Sequence, residues 1–388
     1  VNLLNIEQNI ARLKNLLKMY SFSAAELLAL ISEGLKNPIS YEEIFTKQIK
    51  LNHLKRIDKI FNKGLHYYLD PKAPETSKEA SIFFRKQSFN SELNIGARKV
   101  VNHFEEFKIS LSAISKLADL NFRRSFPVYS ITDDPYIIAN KIRKQIYPPF
   151  VTELKEFLKS LISKFAENNI MVFEFVEYWN QKEKANIDGF FLSPNVIVIK
   201  RQQTSFRREI FTLIHEFAHY LLDVEEIEKI DYQYLANRNL TSIERWCNDF
   251  SFYFLAGDFS RKLDQLETAD PQNDYHFELI EEISKNTHLS QIALFTRLLY
   301  INKISQTNYD KVKNDFEEKY REKQKEELKL KEQEKELGIK RRGSAPQPIK
   351  SPLLISTIQT AFYEGVLNEY EVCKKLNIKP EKFDEYLQ

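Results

Sequence analysis

The pentapeptide His215-Glu216-Phe217-Ala218-His219 constrains this chain more than any other stretch. An α-helix turns about 100° per residue, so side chains four apart share a face and two imidazoles can converge on one metal ion at about 2.0–2.1 Å. The flanks, Ile210-Phe211-Thr212-Leu213-Ile214 and Tyr220-Leu221-Leu222, are those of a helix buried in a domain core. The competing reading is a pair of satisfied core histidines. The apolar flanks and an acidic helix downstream favour zinc. Glu216 sits at the edge of the shared face, where it suits a general base, accepting a proton from water acidified by the metal, better than a ligand.

A catalytic zinc site takes three protein ligands and keeps a fourth position open. Thr241 to Phe250 reads as a capped helix, opened by Thr241 or Ser242 with Glu244 in its first turn. Glu244, Cys247, Asn248 and Ser251 fall on one stripe; Trp246, Phe250, Tyr253 and Phe254 fall on another. If the polar stripe faces the zinc helix, Glu244 is the third ligand and Asn248 is a partner that orients a ligand or backbone group. Glu225, Glu226 and Glu228 compete but read as a solvated acidic turn, and Asp249 lies well round the helix. Cys247 reads as packing, its nearest possible thiol partner being the distant Cys373.

These residues resemble the ImmA/IrrE family of zinc metallo-endopeptidases. The resemblance is carried by Ile187 to Phe191, Asn195 to Ile199, Arg207 to His219, and Ile243-Glu244 followed by Cys247-Asn248, and it covers about residues 125–300. It implies a zincin-like minimal peptidase domain, a small sheet plus the HExxH helix. It also implies zinc on His215, His219 and Glu244, with Glu216 as the catalytic base. The chain departs from the family after the ligand helix, where Ser251 to Phe259 is rich in bulky aromatics that could reshape a substrate groove.

With only 8 glycines among 388 residues and 29% charged residues, a mainly helical α+β protein is expected. No run of about 18 apolar residues is present, and Asn5, Glu7 and Gln8 interrupt the first apolar stretch, so a cytoplasmic protein without a membrane partner is expected. Two cysteines give no disulfide framework and fit a reducing compartment. A formal net charge of +2 excludes nucleic-acid or membrane binding driven by overall charge, leaving only a local patch.

Five segments follow. Residues 1–70 read as helices over Ile6 to Met19, Ser23 to Ile31, Tyr41 to Lys47 and Leu51 to Phe61. Ser23 to Leu28 resembles the second helix of a degenerate Xre-type helix-turn-helix. That resemblance would place Tyr41, Lys47, Gln48 and Lys50 on or near a recognition helix facing DNA; the competing reading is a helical interaction module. Residues 71–124 read as a helical connector, with helices over Ser91 to Phe107 and Ser110 to Leu120. Residues 125–305 form the peptidase-like domain, with a strand at Ile170 to Val176 and two more across Ile187 to Lys200. Its last two helices, Glu278 to Ser284 and Ser290 to Tyr300, are expected to pack beside the core. Residues 306–343 read as a charged helical spacer with Glu317/Arg321 and Glu327/Lys331 at helix spacing. Residues 344–388 form a small C-terminal helical module that either folds back on the peptidase or completes its core.

The expectation is therefore a cytoplasmic zinc endopeptidase cutting a regulatory protein, which the resemblance implies to be a helix-turn-helix transcriptional repressor. Tyr232 and Tyr234 are candidates for stabilising the oxyanion. The alternative is a non-proteolytic, DNA-binding or antitoxin-like regulator in which the zinc fold is a scaffold.

Overall fold

The computed structural model describes residues 5–61, 63–74, 93–120, 123–177, 183–201, 205–227, 241–268, 276–336 and 347–387. The chain forms two compact units, residues 1–110 with 182–186, and residues 111–181 with 187–388. It is a mainly helical α+β protein.

The first unit contains β1 (Asn5–Glu7), α1 (Ile10–Met19), α2 (Ala24–Ser32), α3 (Tyr41–Ile44), β2 (Gln48–Lys50), α4 (Leu51–Phe61) and α5 (Leu65–Leu69); α6 (Ile95–Leu117) runs on past its boundary in sequence. Leu13, Leu16, Leu27, Leu54 and Ile57 are fully buried in one cluster. Ser23 caps α2, its Oγ accepting from the Glu26 N–H at 3.1 Å while Glu26 Oε2 accepts from the Ser23 N–H at 2.8 Å.

Two expected helices are shorter than the sequence suggested. The first begins at Ile10 and the third ends at Ile44, while Asn5–Glu7 and Gln48–Lys50 pair as an antiparallel ribbon, Ile6 opposite Ile49. The cause is Gln8, which is buried and donates from Nε2 to the carbonyls of Ile44 at 2.5 Å and Thr46 at 2.8 Å, satisfying backbone that a longer α3 would have used. Gln48 and Lys50 are therefore strand residues. Lys47 pairs with Glu7 at 2.8 Å and Lys50 with Glu43 at 2.7 Å, so both cations face carboxylates. The two helices expected between Ser91 and Leu120 are the single α6.

The second unit holds α7 (Pro135–Ile146), α8 (Leu154–Glu167), β3 (Met171–Val176), β4 (Gly189–Leu192), β5 (Val196–Arg201), α9 (Phe206–Leu222), α10 (Ser242–Ala256), α11 (Phe259–Asp264), α12 (Phe277–Asn286) and α13 (Gln291–Tyr300). It continues with α14 (Gln306–Glu336), α15 (Pro352–Tyr363), α16 (Glu369–Leu376) and α17 (Phe383–Leu387). The sheet order is β3-β5-β4, with β5 parallel to β3 and antiparallel to β4. Its strands are apolar on both faces because helices cover them: α8 lies on β3, and α9 packs on β4 and β5. The other side of α9 meets α10, which in turn packs on α7. Phe217 of α9 and Phe250 of α10 meet with ring centroids 6.0 Å apart. Trp246 stacks on Phe250 and donates its indole N–H to the Asp133 carbonyl at 2.8 Å, giving the buried ring its polar partner.

Beyond the sheet, α12 and α13 pair and α14 joins them through buried Tyr309 and Val312. From Glu317 onward α14 is solvated, with Arg321 pairing Glu317 at 3.5 Å as the spacing predicts; the Lys331 side chain lies outside what is described. The C-terminal module packs α15 on α8, and Ile349 rests on the core. No helix of the described residues is long and apolar enough to cross a membrane.

Candidate metal centre

Helix α9 places His215 and His219 one turn apart and Glu216 between them, on its face toward α10 and the sheet. Their exposures are 2%, 2% and 3%. Glu244 comes from the first turn of α10 and is 4% exposed. Thr241 caps that turn, its Oγ1 accepting the backbone N–H of Glu244 itself at 3.2 Å, so the cap holds the acidic residue directly.

The donor atoms converge. His215 Nε2 and His219 Nε2 are 3.2 Å apart, and Glu244 reaches them through Oε2 at 3.2 Å and Oε1 at 3.1 Å. Tetrahedral zinc bonds of about 2.0–2.1 Å put neighbouring ligand atoms roughly 3.3 Å apart, so these residues fit the ion. Two nitrogens and one oxygen are also the donor set of a hydrolytic zinc site, with one position left over. Among the described residues, this triad is the one group of three or more His, Cys, Asp or Glu side chains close enough to share an ion.

The rival ligands are engaged elsewhere. Glu225 Oε1 accepts the Ser193 N–H at 2.8 Å, and Asp249 pairs with Arg297. Glu228, Tyr232 and Tyr234 lie outside the described residues. Cys247 is fully buried beside His219, and burial pushes its thiol up to about 11, which keeps it a neutral packing group. Asn248 lines a cleft, and its Oδ1 has no hydrogen-bond partner among the described residues.

Glu216 is held from the sheet side. A Cβ on Gly189 would lie 2.7 Å from Thr212 Cγ2 and 3.0 Å from Glu216 Cγ, so the absence of a side chain there lets β4 close on α9. Burial is the main force on the Glu216 carboxyl and raises it to about 7; the two histidines oppose this, and Glu244 and Asp188 add to it. Its Oε2 has no hydrogen-bond partner among the described residues. Gly189 lies within the Ile187 to Phe191 stretch, but its role was not legible there, because a close approach between a strand and a distant helix leaves no local signal.

Residues 170–294 match the IrrE N-terminal-like domain, a peptidase family (Peptidase_M78). The match begins at β3 and ends in α13, so it contains the sheet, both site helices and all four site residues. The chain therefore carries an IrrE-like metallopeptidase domain of the HExxH type, with a buried His-His-Glu triad and helical regions on either side. Neither the curated proteins nor the solved structures give a match to the chain.

Proposed function

We propose that this chain is a zinc endopeptidase in which His215, His219 and Glu244 hold the ion and Glu216 is the general base. The observation that carries the reading is the convergence of two imidazole Nε2 atoms, 3.2 Å apart, on the Glu244 carboxylate, whose two oxygens stand 3.1 and 3.2 Å from them, with the Glu216 carboxyl buried beside them. When bound, zinc supplies a Lewis acid that polarises a peptide carbonyl and acidifies water. Glu216, buried beside the three donors, would accept a proton from the attacking water and hand it to the leaving amine. Gly189 keeps Glu216 in place, and Thr241 fixes the backbone from which Glu244 reaches across.

The resemblance to the ImmA/IrrE family supports a regulatory protein, such as a helix-turn-helix repressor, as the target. The competing reading is a scaffold that holds metal without hydrolysis. Glu216→Gln separates them, because an amide keeps the shape but cannot take a proton. It should retain zinc by elemental analysis and lose cleavage of co-expressed neighbouring gene products by about 10²–10⁴-fold. His215→Ala, His219→Ala and Glu244→Ala should each lose most of the metal. Equal biological activity of parent and Glu216→Gln would favour the scaffold, and full metal in Glu244→Ala would remove it from the ligand set.

A further inference from the structure

Residues 183–186 lie in sequence between β3 and β4, yet they belong to the first unit, where they rest on the start of α6. Asn94 holds them through its backbone and both ends of its amide. Its N–H donates to Asn186 Oδ1 at 3.1 Å, and its Nδ2 donates to the Lys184 carbonyl at 2.7 Å. Its Oδ1 accepts from the Asn186 N–H at 3.4 Å while capping α6 through the Ala97 N–H at 2.9 Å. Farther along the helix, Lys99 pairs with Glu183 at 2.7 Å. A Cβ on Gly96 would lie 2.7 Å from the Glu183 carbonyl oxygen, 2.8 Å from the Lys184 carbonyl carbon and 2.9 Å from the Ala185 nitrogen, all backbone atoms that cannot swing aside. A segment resting loosely on a helix would not need glycine, a poor helix former, in that first turn. This one is fitted to it.

The grip is rooted on one side and taut on the other. Arg98 of α6 is buried, donates to the Leu93 carbonyl at 3.0 Å and the Ser21 carbonyl at 2.7 Å, and pairs with Glu26 of α2 at 3.3 Å, which ties the docking end into the first unit. On the other side three residues lead from Asn186 to Gly189, a span of at most roughly 10–11 Å. Within it Ile187 is buried, the Asp188 carboxylate pairs with Arg208 of α9, and the Asp188 carbonyl accepts the Lys200 N–H of β5 at 2.7 Å. Gly189 then meets Glu216. Two of the chain's 8 glycines thus stand at the two ends of one short path, each where a side chain would force the backbone away from a helix.

We propose that residues 183–186 are a strap through which the first unit sets the position of β4, and that Asn94, Gly96 and Lys99 are positioning residues for Glu216. The proposal rests on the peptidase reading for the role of Glu216, but its mechanical half stands apart from cleavage. A change in the first unit at the start of α6 then reaches the metal centre without touching a metal ligand.

The test is hydrogen exchange of the intact, zinc-loaded chain, followed by mass spectrometry in peptides covering β4 and, as a control, α10. Gly96→Ala favours the helix and expels the strap, whereas Asn94→Asp keeps the cap and loses the amide donor to Lys184. Both variants should keep the zinc content and circular dichroism of the parent, speed exchange in β4 by at least about tenfold and leave α10 unchanged. Asn94→Asp serves alone if Gly96→Ala disturbs folding. Lys99→Glu should act in the same direction more weakly, and Glu183→Lys in the same chain should reverse it. Parent-like exchange in β4 in both Gly96→Ala and Asn94→Asp would overturn the strap.

Digestion of a degenerate peptide mixture then separates the two readings. Gly96→Ala and Asn94→Asp should cut about 10²-fold more slowly than the parent, the scale on which a 1 Å misplacement acts. Faster exchange in β4 with the parent's rate of cleavage would overturn the positioning role. A parent that cuts nothing sinks the peptidase reading, while the exchange result still decides whether the strap holds β4.

Discussion

At residue scale the centre depends on a missing side chain as much as on the four that are present. Gly189 faces Thr212 and Glu216 at distances no Cβ could share, so Gly189→Ala must push either β4 or the Glu216 stem aside. Overpacking of this kind costs about 1–3 kcal/mol. The expected outcome is a lower urea midpoint, zinc content like that of the parent, and reduced cleavage, with Thr212→Ser in the same chain recovering part of the stability. An unchanged midpoint would mean the approach relaxes freely and Gly189 does not hold Glu216. The site histidines and Glu244 were legible in the sequence because helix periodicity is a local rule: positions 215 and 219 had to share a face once the segment was helical, and an acidic first turn on a capped helix narrowed the third ligand. Asn248 was read as an orienting partner on the stripe of Glu244, and the structure adds that it lines a cleft. Its place on the cleft depends on Ala293 and Arg297 of α13, which no spacing within its own helix could reveal.

At the scale of elements, the strands and helices with strong local signals appear within a few residues of expectation: β3, the β4–β5 pair and α9. The β1–β2 ribbon was missed because its pairing joins Ile6 to Ile49, and three-residue strands carry too little alternation to outweigh neighbouring helical periodicity. One contact between elements has a pH signature. Glu174 of β3 is buried, accepts the Ile349 N–H on Oε2 at 2.6 Å and stands 3.9 Å from Arg201, which also pairs with Glu209 in the first turn of α9. Burial is the dominant influence and raises its carboxyl to about 7, against the Ile349 hydrogen bond and the nearby cations Arg201 and Lys155. The unfolded chain releases this proton near 4.5 and the folded chain near 7, so stability present below 4.5 is lost as pH rises through that window. Glu174→Gln should therefore flatten part of the pH dependence, on the order of 1–3 kcal/mol between about pH 5 and pH 8, in urea titrations. Identical slopes in parent and variant would show that Glu174 ionises freely.

For the whole molecule, the C-terminal module is part of the second unit's interior. Helix α15 lies on α8, Ile349 rests on the core, and its backbone supplies a hydrogen bond to Glu174. A chain ending at residue 346 would expose the α8 face and leave a buried carboxyl without that donor, so it should be poorly soluble or markedly less stable. A soluble truncated chain with the parent's melting temperature would show that the module adds nothing to the core. His215 and His219 belong to one helix and Glu244 to another, 25 residues beyond His219 in sequence. An ion held by all three is then a cross-link in a protein whose two cysteines, Cys247 and Cys373, are both unbridged. Closing a loop of a few tens of residues restricts the unfolded chain by about 3 kcal/mol if the link is as rigid as a disulfide. Stability should thus rise and fall with metal supply: a chelator should lower the melting temperature of the parent by several degrees and leave that of His219→Ala where it was.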